Sequence, residues 1–573
     1  MGALLVCAFF AVLATGIRST SANTTVPTIE NHDNPEDYVW DSNSAIPITL
    51  NGDTIATEAS GAVIEGSTVT LTAAGTYTIS GTLTDGQIIV NTEDTALVRL
   101  ILTGVDIHSS TSAPIYVMNA EEVMIVLADN TDNRVSDGTS YLFDTVNEDE
   151  PNAAIFSGSD LTIYGNGTLT VAGNYNDGIA SKDGLVITSA SITVNAVDDG
   201  IRGKDYLIIR DGQITVNAQG DGLKSDNAED ATKGYIAIET GAVNIVAGGD
   251  AIDAQTSVVI AGGEFSLVSG GGSNNWIDEV TSAKGIKGTV SVTVNGGTFT
   301  IDSADDAIHS NDSIVINDGT LNIASGDDGM HADLALVVND GDINITRAYE
   351  GIESKSITIN NGTLYITSSD DGFNAAGGTG GGEAVGDYYL YINGGYIVMN
   401  TGGDGIDSNG YAEMTDGVVI VQSPAQSAID VNGVFNVTGG FLVAVGPSRM
   451  ADAPDDTSTQ YSLLLNFDSV LPAGTVLHIQ SSDGNEVLTF ETSREFQSLV
   501  VSSPEFVAGA TYDVYTGGSA SGVAIDGLYP DGSYSGGARY ISFTISSPVT
   551  SLGTVSNMGG RPGGGGQGEG GGH

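Results

Sequence analysis

One short phrase recurs along this chain at a nearly constant interval, and that interval restricts the fold more than any other feature. It reads Asp177-Gly-Ile, Asp199-Gly-Ile, Asp221-Gly-Leu, Asp250-Ala-Ile, Lys284-Gly-Ile, Asp306-Ala-Ile, Asp328-Gly-Met, Glu350-Gly-Ile, Asp371-Gly-Phe, Asp404-Gly-Ile and Ser427-Ala-Ile. Successive spacings are 22, 22, 29, 34, 22, 22, 22, 21, 33 and 23 residues. A fixed short period marks a chain built from stacked copies of one unit. Between phrases lie two alternating runs separated by Asn/Asp-Gly turns, as in Ser313-Ile-Val-Ile-Asn-Asp-Gly-Thr-Leu-Asn-Ile-Ala324. Two-residue alternation of β-branched side chains specifies strands, and no window carries a helical period.

Three short strands and three turns per repeat predict an all-β chain: a right-handed parallel β-helix, a solenoid of ~22-residue coils with a C-terminal β module. Its strands stack ~4.8 Å apart. Asn-Gly turns also favour hairpins, but hairpins do not bring like residues into a ladder. Residues 45–450 are expected to form the solenoid, with less regular coils before residue 145. From about residue 455 the phrase is lost while alternation persists, so 455–550 are expected to form a module covering the open end. The apolar run Ala3–Ala14 and the small residues to Ala22 read as a signal peptide over 1–22 containing Cys7, the single cysteine. An N-terminal segment over 23–44 and a Gly-rich flexible tail over 551–573 complete the division.

The chain holds 72 Asp and Glu against 17 Lys and Arg, a net charge of −55. Such a surface repels nucleic acid and anionic membranes. The apolar run is short for a membrane span. A secreted or cell-surface monomer without disulfides is expected.

Side-chain alternation places the phrase's apolar residue (Ile179, Ile201, Leu223, Ile252, Ile308, Met330, Ile352) inside, with a small column two residues on (Ser181, Gly203, Ser225, Ala254, Ser310, Ala332, Ser354). The residues between them point outward: Ala180, Arg202, Lys224, Asp253, Lys287, His309, His331, Glu353, Asn374, Asp407 and Asp430. At the edge of this polar face runs the column of phrase acids, interrupted by Lys284. Unit charges at ~4.8 Å repel by ~1 kcal/mol even in water, so something must offset them. One account is an Asx-turn, each carboxylate accepting backbone N–H groups at its own corner. The other is Ca²⁺, a hard cation taking six to eight oxygens, with Asp199, Asp221, Asp305, Asp306, Asp312, Asp327, Asp328 and Asp333 as candidate ligands. His309 and His331 also admit a transition metal.

Lys182, Arg202, Lys204 and Lys224 fall on three consecutive rungs. They read either as a lattice of surface ion pairs or as a patch receiving uronate carboxylates. Insertions near 227–233, 271–282 and 377–387 are expected to wall the polar face. They bring Trp276 and the outward-facing Tyr389, Tyr391 and Tyr396, rings suited to stacking on sugars.

The Asp-Gly-Ile rungs, Gly75-Thr-Tyr with Asp85-Gly-Gln-Ile-Ile-Val90, and Leu102-Thr-Gly-Val-Asp-Ile107 resemble secreted carbohydrate-binding-domain proteins with a pectate-lyase-like parallel β-helix. The resemblance covers roughly residues 45–450. It implies calcium-dependent, non-catalytic binding of polysaccharides such as cellulose or polygalacturonate-like acidic glycans. Two other functions stay open. One is a calcium-dependent polysaccharide lyase, in which Lys224 or Arg202 removes the C5 proton of a uronate in a β-elimination. The other is a structural surface adhesin.

Overall fold

The computed structural model describes residues 31–41, 44–143, 145, 149–278, 280–377 and 385–553. The expected signal peptide, with Cys7, and the Gly-rich tail beyond residue 553 lie outside the described residues. The described chain is all-β, with no α-helix and one four-residue 3-10 turn at Pro35–Tyr38. Among the described residues no helix is long and apolar enough to cross a membrane. The residues fall into two compact units, one ending at Gly326 and one beginning at Asp327.

In the unit ending at Gly326 the sequence period becomes strand register. Ile179 pairs in parallel with Ile201, Ile201 with Leu223, Leu223 with Ile252, Ile252 with Ile286 and Ile286 with Ile308. All six side chains are fully buried. Burying one such side chain contributes about 1.5–3 kcal/mol, so the repeated apolar position pins register at every step. The 29- and 34-residue spacings leave the pairing intact, because their extra residues leave between strands. The other two strands of each repeat also stack in parallel, Ser291–Val294 on Ser313–Ile316 and Thr298–Ser303 on Thr320–Ser325. Before residue 145, Ile46–Gly52, Gly75–Leu83 and Val98–Ser109 pair in parallel in that order. At Gly203 the small inner column leaves no room for a side chain. A Cβ on Gly203 would sit 2.2 Å from the Tyr206 carbonyl oxygen and 2.9 Å from the Leu185 Cβ.

In the unit beginning at Asp327, Met330 pairs with Ile352, Ile352 with Phe373, Phe373 with Ile406 and Ile406 with Ile429, again in parallel. The run ends at Phe441–Gly446, whose open edge pairs antiparallel with Phe496–Ser502. That strand pairs on its other side with Ser462–Leu471. Val476–Ser481, Glu486–Glu491, Thr511–Thr516 and Ala538–Thr544 form a four-stranded antiparallel sheet. Its buried Leu477, Phe490, Val514 and Phe543 share one apolar cluster with Val443, Val445 and Tyr396. Tyr396, expected on an open face, is therefore buried, and its hydroxyl donates to Asp526 across 2.8 Å.

Candidate functional site

The outward ladder runs as the alternation implies. Ala180 stands beside Arg202, Arg202 beside Lys224, Lys224 beside Asp253, Asp253 beside Lys287 and Lys287 beside His309. In the later unit His331, Glu353, Asn374, Asp407 and Asp430 follow one another in the same way.

The acid column lies deeper than a solvent-screened edge. Asp177, Asp199, Asp250, Asp306, Asp328 and Asp404 are all buried. Nor do the carboxylates mainly brace their own corners. Asp177, Asp199, Asp221, Asp250, Asp328 and Asp371 reach to the next repeat, where each accepts the backbone N–H of the residue in the same position. Asp221 N–H donates to Asp199 at 2.9 Å, Asp250 N–H to Asp221 at 2.8 Å and Lys284 N–H to Asp250 at 2.6 Å. Glu350 N–H likewise donates to Asp328 at 3.1 Å and Asp404 N–H to Asp371 at 2.6 Å. Backbone N–H bonds to a buried carboxylate replace the hydration it has lost.

Up to residue 326 the remaining charge is balanced by cations on the ladder. Arg202 pairs with Asp177 and Asp226, each at 3.2 Å. Lys224 bridges Asp199 at 3.1 Å and Asp221 at 2.6 Å. Lys287 bridges Asp250 at 3.1 Å and Asp253 at 3.3 Å. The break in the acid column has the same purpose: Lys284 sets its ammonium 2.8 Å from Asp305 and 2.9 Å from Asp306. Burial alone would lower the Lys224 and Lys284 ammonium groups, but their paired carboxylates overcome it and hold both above the ordinary lysine range. Burial lifts Asp177 to about 7 despite Arg202, and Asp253 to about 6 despite Lys287.

From residue 327 the ladder carries no lysine or arginine. Among the described residues no basic side chain pairs with Glu350, Asp371, Asp404 or Asp407. Burial, and then Asp407, push Asp371 up to about 9, while burial and Asp404 push Asp407 up to about 7. Burial, and then Glu353, raise Glu350, while burial, and then Asp328, raise Glu353. One Asp404 carboxylate oxygen and the Asn374 side-chain oxygen are buried without a hydrogen-bond partner. Asp328, His331 and Glu353 each direct a ligand atom into a region where all three lie within 4.8 Å of one another.

Of the expected metal ligands, Asp199 and Asp221 thus share Lys224, and Asp305 and Asp306 share Lys284. Asp312 and Asp333 are exposed, Asp327 is half-buried and Asp328 is buried. Of the expected carbohydrate contacts, Lys182 is exposed and 2.7 Å from Glu150. Lys204 is half-exposed and forms no ion pair among the described residues. Trp276 is 84% exposed. Tyr389 and Tyr391 lie on a strand of the other large sheet, not on the ladder strand, in near-parallel contact at 6.0 Å. Tyr411 joins them, 5.8 Å from Tyr389. Tyr411, Glu350, Glu353, Asn374, Asp371, Asp404 and Asp407 escaped the sequence-based selection. The disappearance of lysine from the ladder after residue 287 was the available signal for the last six.

Each unit is thus an all-β stack of parallel repeats with a polar ladder: the earlier one pins cations among its acids, and the later one carries tyrosine rings on its other large sheet. A family profile described as "Carbohydrate-binding domain-containing protein" matches residues 65–329 and 328–372. That is just over half of the chain, and the chain belongs to this family. A relative from Acetivibrio thermocellus carrying the same description is 47% identical over 128 residues, which make up 22% of this chain and 45% of the relative. The match thus spans less than half of that relative's length. A solved structure described as the polysaccharide lyase-like protein from C. thermocellum, a gadolinium derivative, is 30% identical. The alignment covers 51% of this chain and 96% of that one, with a TM-score of 0.37.

Proposed function

We propose that this protein is a secreted or cell-surface, calcium-assisted polysaccharide-binding protein. Its parallel repeats wind as a right-handed β-helix, the hand that crossover connections favour, and it does not cleave its ligand. The observation that carries binding over cleavage is the state of the ladder cations. A lysine base needs a lowered pKa, yet Lys224 is held protonated between Asp199 and Asp221. Arg202 is likewise raised: burial opposes its charge, and Asp177 and Asp226 overcome it. Neither is placed to take the C5 proton of a uronate. The more open Lys182 and Lys204, on consecutive repeats, are suited to receive carboxylates of an acidic, polygalacturonate-like glycan. The Tyr389, Tyr391 and Tyr411 rings and Trp276 offer apolar faces to sugar rings.

Calcium fits oxygen donors alone, and Asp371, Asp404 and Asp407 are crowded acids with no lysine or arginine partner among the described residues. The partnerless buried Asp404 oxygen supports that fit. When bound, the ion would neutralise these acids and accept glycan carboxylate oxygens. The test is electrophoresis through polygalacturonate and cellulose-derivative gels with Ca²⁺ or with chelator, alongside ultraviolet absorbance for unsaturated product. Retardation that Ca²⁺ strengthens, without product, is expected. Product lost in Lys224→Ala would establish the lyase instead, and no retardation under any condition would favour the adhesin.

A further inference from the structure

The ladder of the earlier unit carries Lys224 and Lys287, whereas the basic group on the ladder of the later unit is His331. His331 stands between carboxylates on both ring nitrogens. Its Nδ1 lies 3.4 Å from an Asp328 oxygen and 4.0 Å from a Glu353 oxygen, while its Nε2 lies 3.5 Å from Asp333. Glu353 is next to His331 in the parallel register, and Asn374 is next to Glu353. Asn374 is only 8% exposed, and its amide nitrogen donates to Glu350 at 2.6 Å. Its amide oxygen is left without a partner among these acids.

We propose that Asp328, His331 and Glu353 hold a divalent transition-metal ion of the zinc class, with the Asn374 oxygen and Glu350 beside it. An imidazole nitrogen combined with carboxylate oxygens is the donor mixture Zn²⁺ takes, whereas Ca²⁺ takes oxygen alone. Bonds near 2.1 Å in a tetrahedron put ligand atoms about 3.4 Å apart, and the His331 to Asp328 separation has that value. The second imidazole nitrogen faces Asp333, the outer carboxylate that fixes tautomer and ring orientation in histidine–metal sites. Asn374 adds an oxygen whose burial is otherwise uncompensated. The ion would tie consecutive repeats together where the earlier unit uses lysine. This site has a different donor set from the calcium reading and does not depend on any glycan.

The test uses the full chain, stripped with chelator, without polysaccharide. Zn²⁺ is titrated by calorimetry, and Co²⁺ is titrated while its visible ligand-field bands are recorded. Wild type is expected to bind Zn²⁺, with a higher melting temperature when loaded. His331→Gln and Glu353→Gln should each weaken binding at least about 10-fold, the loss that removing even an outer-shell partner brings. Loss of nitrogen coordination in His331→Gln should change the Co²⁺ bands. His108→Gln, distant in sequence, should bind like wild type. Unchanged Zn²⁺ affinity in folded His331→Gln, identical Co²⁺ bands, or a wild type that binds Ca²⁺ but no Zn²⁺ would each overturn the site.

Discussion

Asp250 shows how a carboxylate is accommodated at 2% exposure. One oxygen accepts the Lys284 N–H at 2.6 Å and the Ser282 hydroxyl at 2.8 Å, and the other faces the Lys287 ammonium at 3.1 Å. Every such balance is local, so removing one partner strands the rest. Lys284 is 8% exposed between Asp305 and Asp306. Breaking a buried pair costs about 3–5 kcal/mol, so Lys284→Met should destabilise by that order in denaturant unfolding, and adding Asp306→Asn should recover part of the loss. Glu122 tests the opposite situation. Burial lifts it from an ordinary 4.5 to about 7, so between those values the folded chain holds a proton that the unfolded chain has released. Stability should therefore fall as pH rises from about 4.5 to about 7. Melting temperatures across that range should show a flatter profile for Glu122→Gln; an unchanged slope would mean Glu122 titrates normally.

At the scale of strands, the parallel register was legible because inner and outer positions alternate and the phrase recurs. Once Ile179, Ile201 and Leu223 share a ladder, the neighbours of Arg202 and Lys224 follow. Depth was not legible. Nothing in the spacing says that an Asp side chain will reach the N–H of the next repeat rather than its own corner, since both bonds use the same residue at the same turn. The burial of Tyr396 was equally hidden, because Asp526 belongs to a region with no repeat from which to extrapolate. The strand from that region that matters most is Phe496–Ser502, where Val500 is paired on both sides, opposite Ala444 and Leu464. A proline there removes a ladder donor in the middle of a sheet. Val500→Pro should unpair the edge of Phe441–Gly446 and yield soluble aggregates by light scattering. A monodisperse variant with wild-type melting would show that the pairing is dispensable.

For the molecule as a whole, the decisive quantity is the net charge of −55. A protein so acidic meets a polyuronate as one polyanion meets another, and a few exposed lysines such as Lys182 and Lys204 act against that field. Raising ionic strength from about 10 mM to about 150 mM shortens the screening length from about 30 Å to about 8 Å. Long-range repulsion is then suppressed, while close contacts between a lysine and a carboxylate weaken less. With chelator present, binding of polygalacturonate should therefore strengthen over this range, while binding of an uncharged cellulose oligomer should hardly change. With saturating Ca²⁺ the salt dependence should become shallower, because bound cations already offset the acids nearest the glycan. Calorimetric titrations at the two salt concentrations decide the matter. If polygalacturonate binding instead weakens with salt under chelator, attraction to the lysines dominates the whole-protein field, and the need for a bridging cation disappears with it.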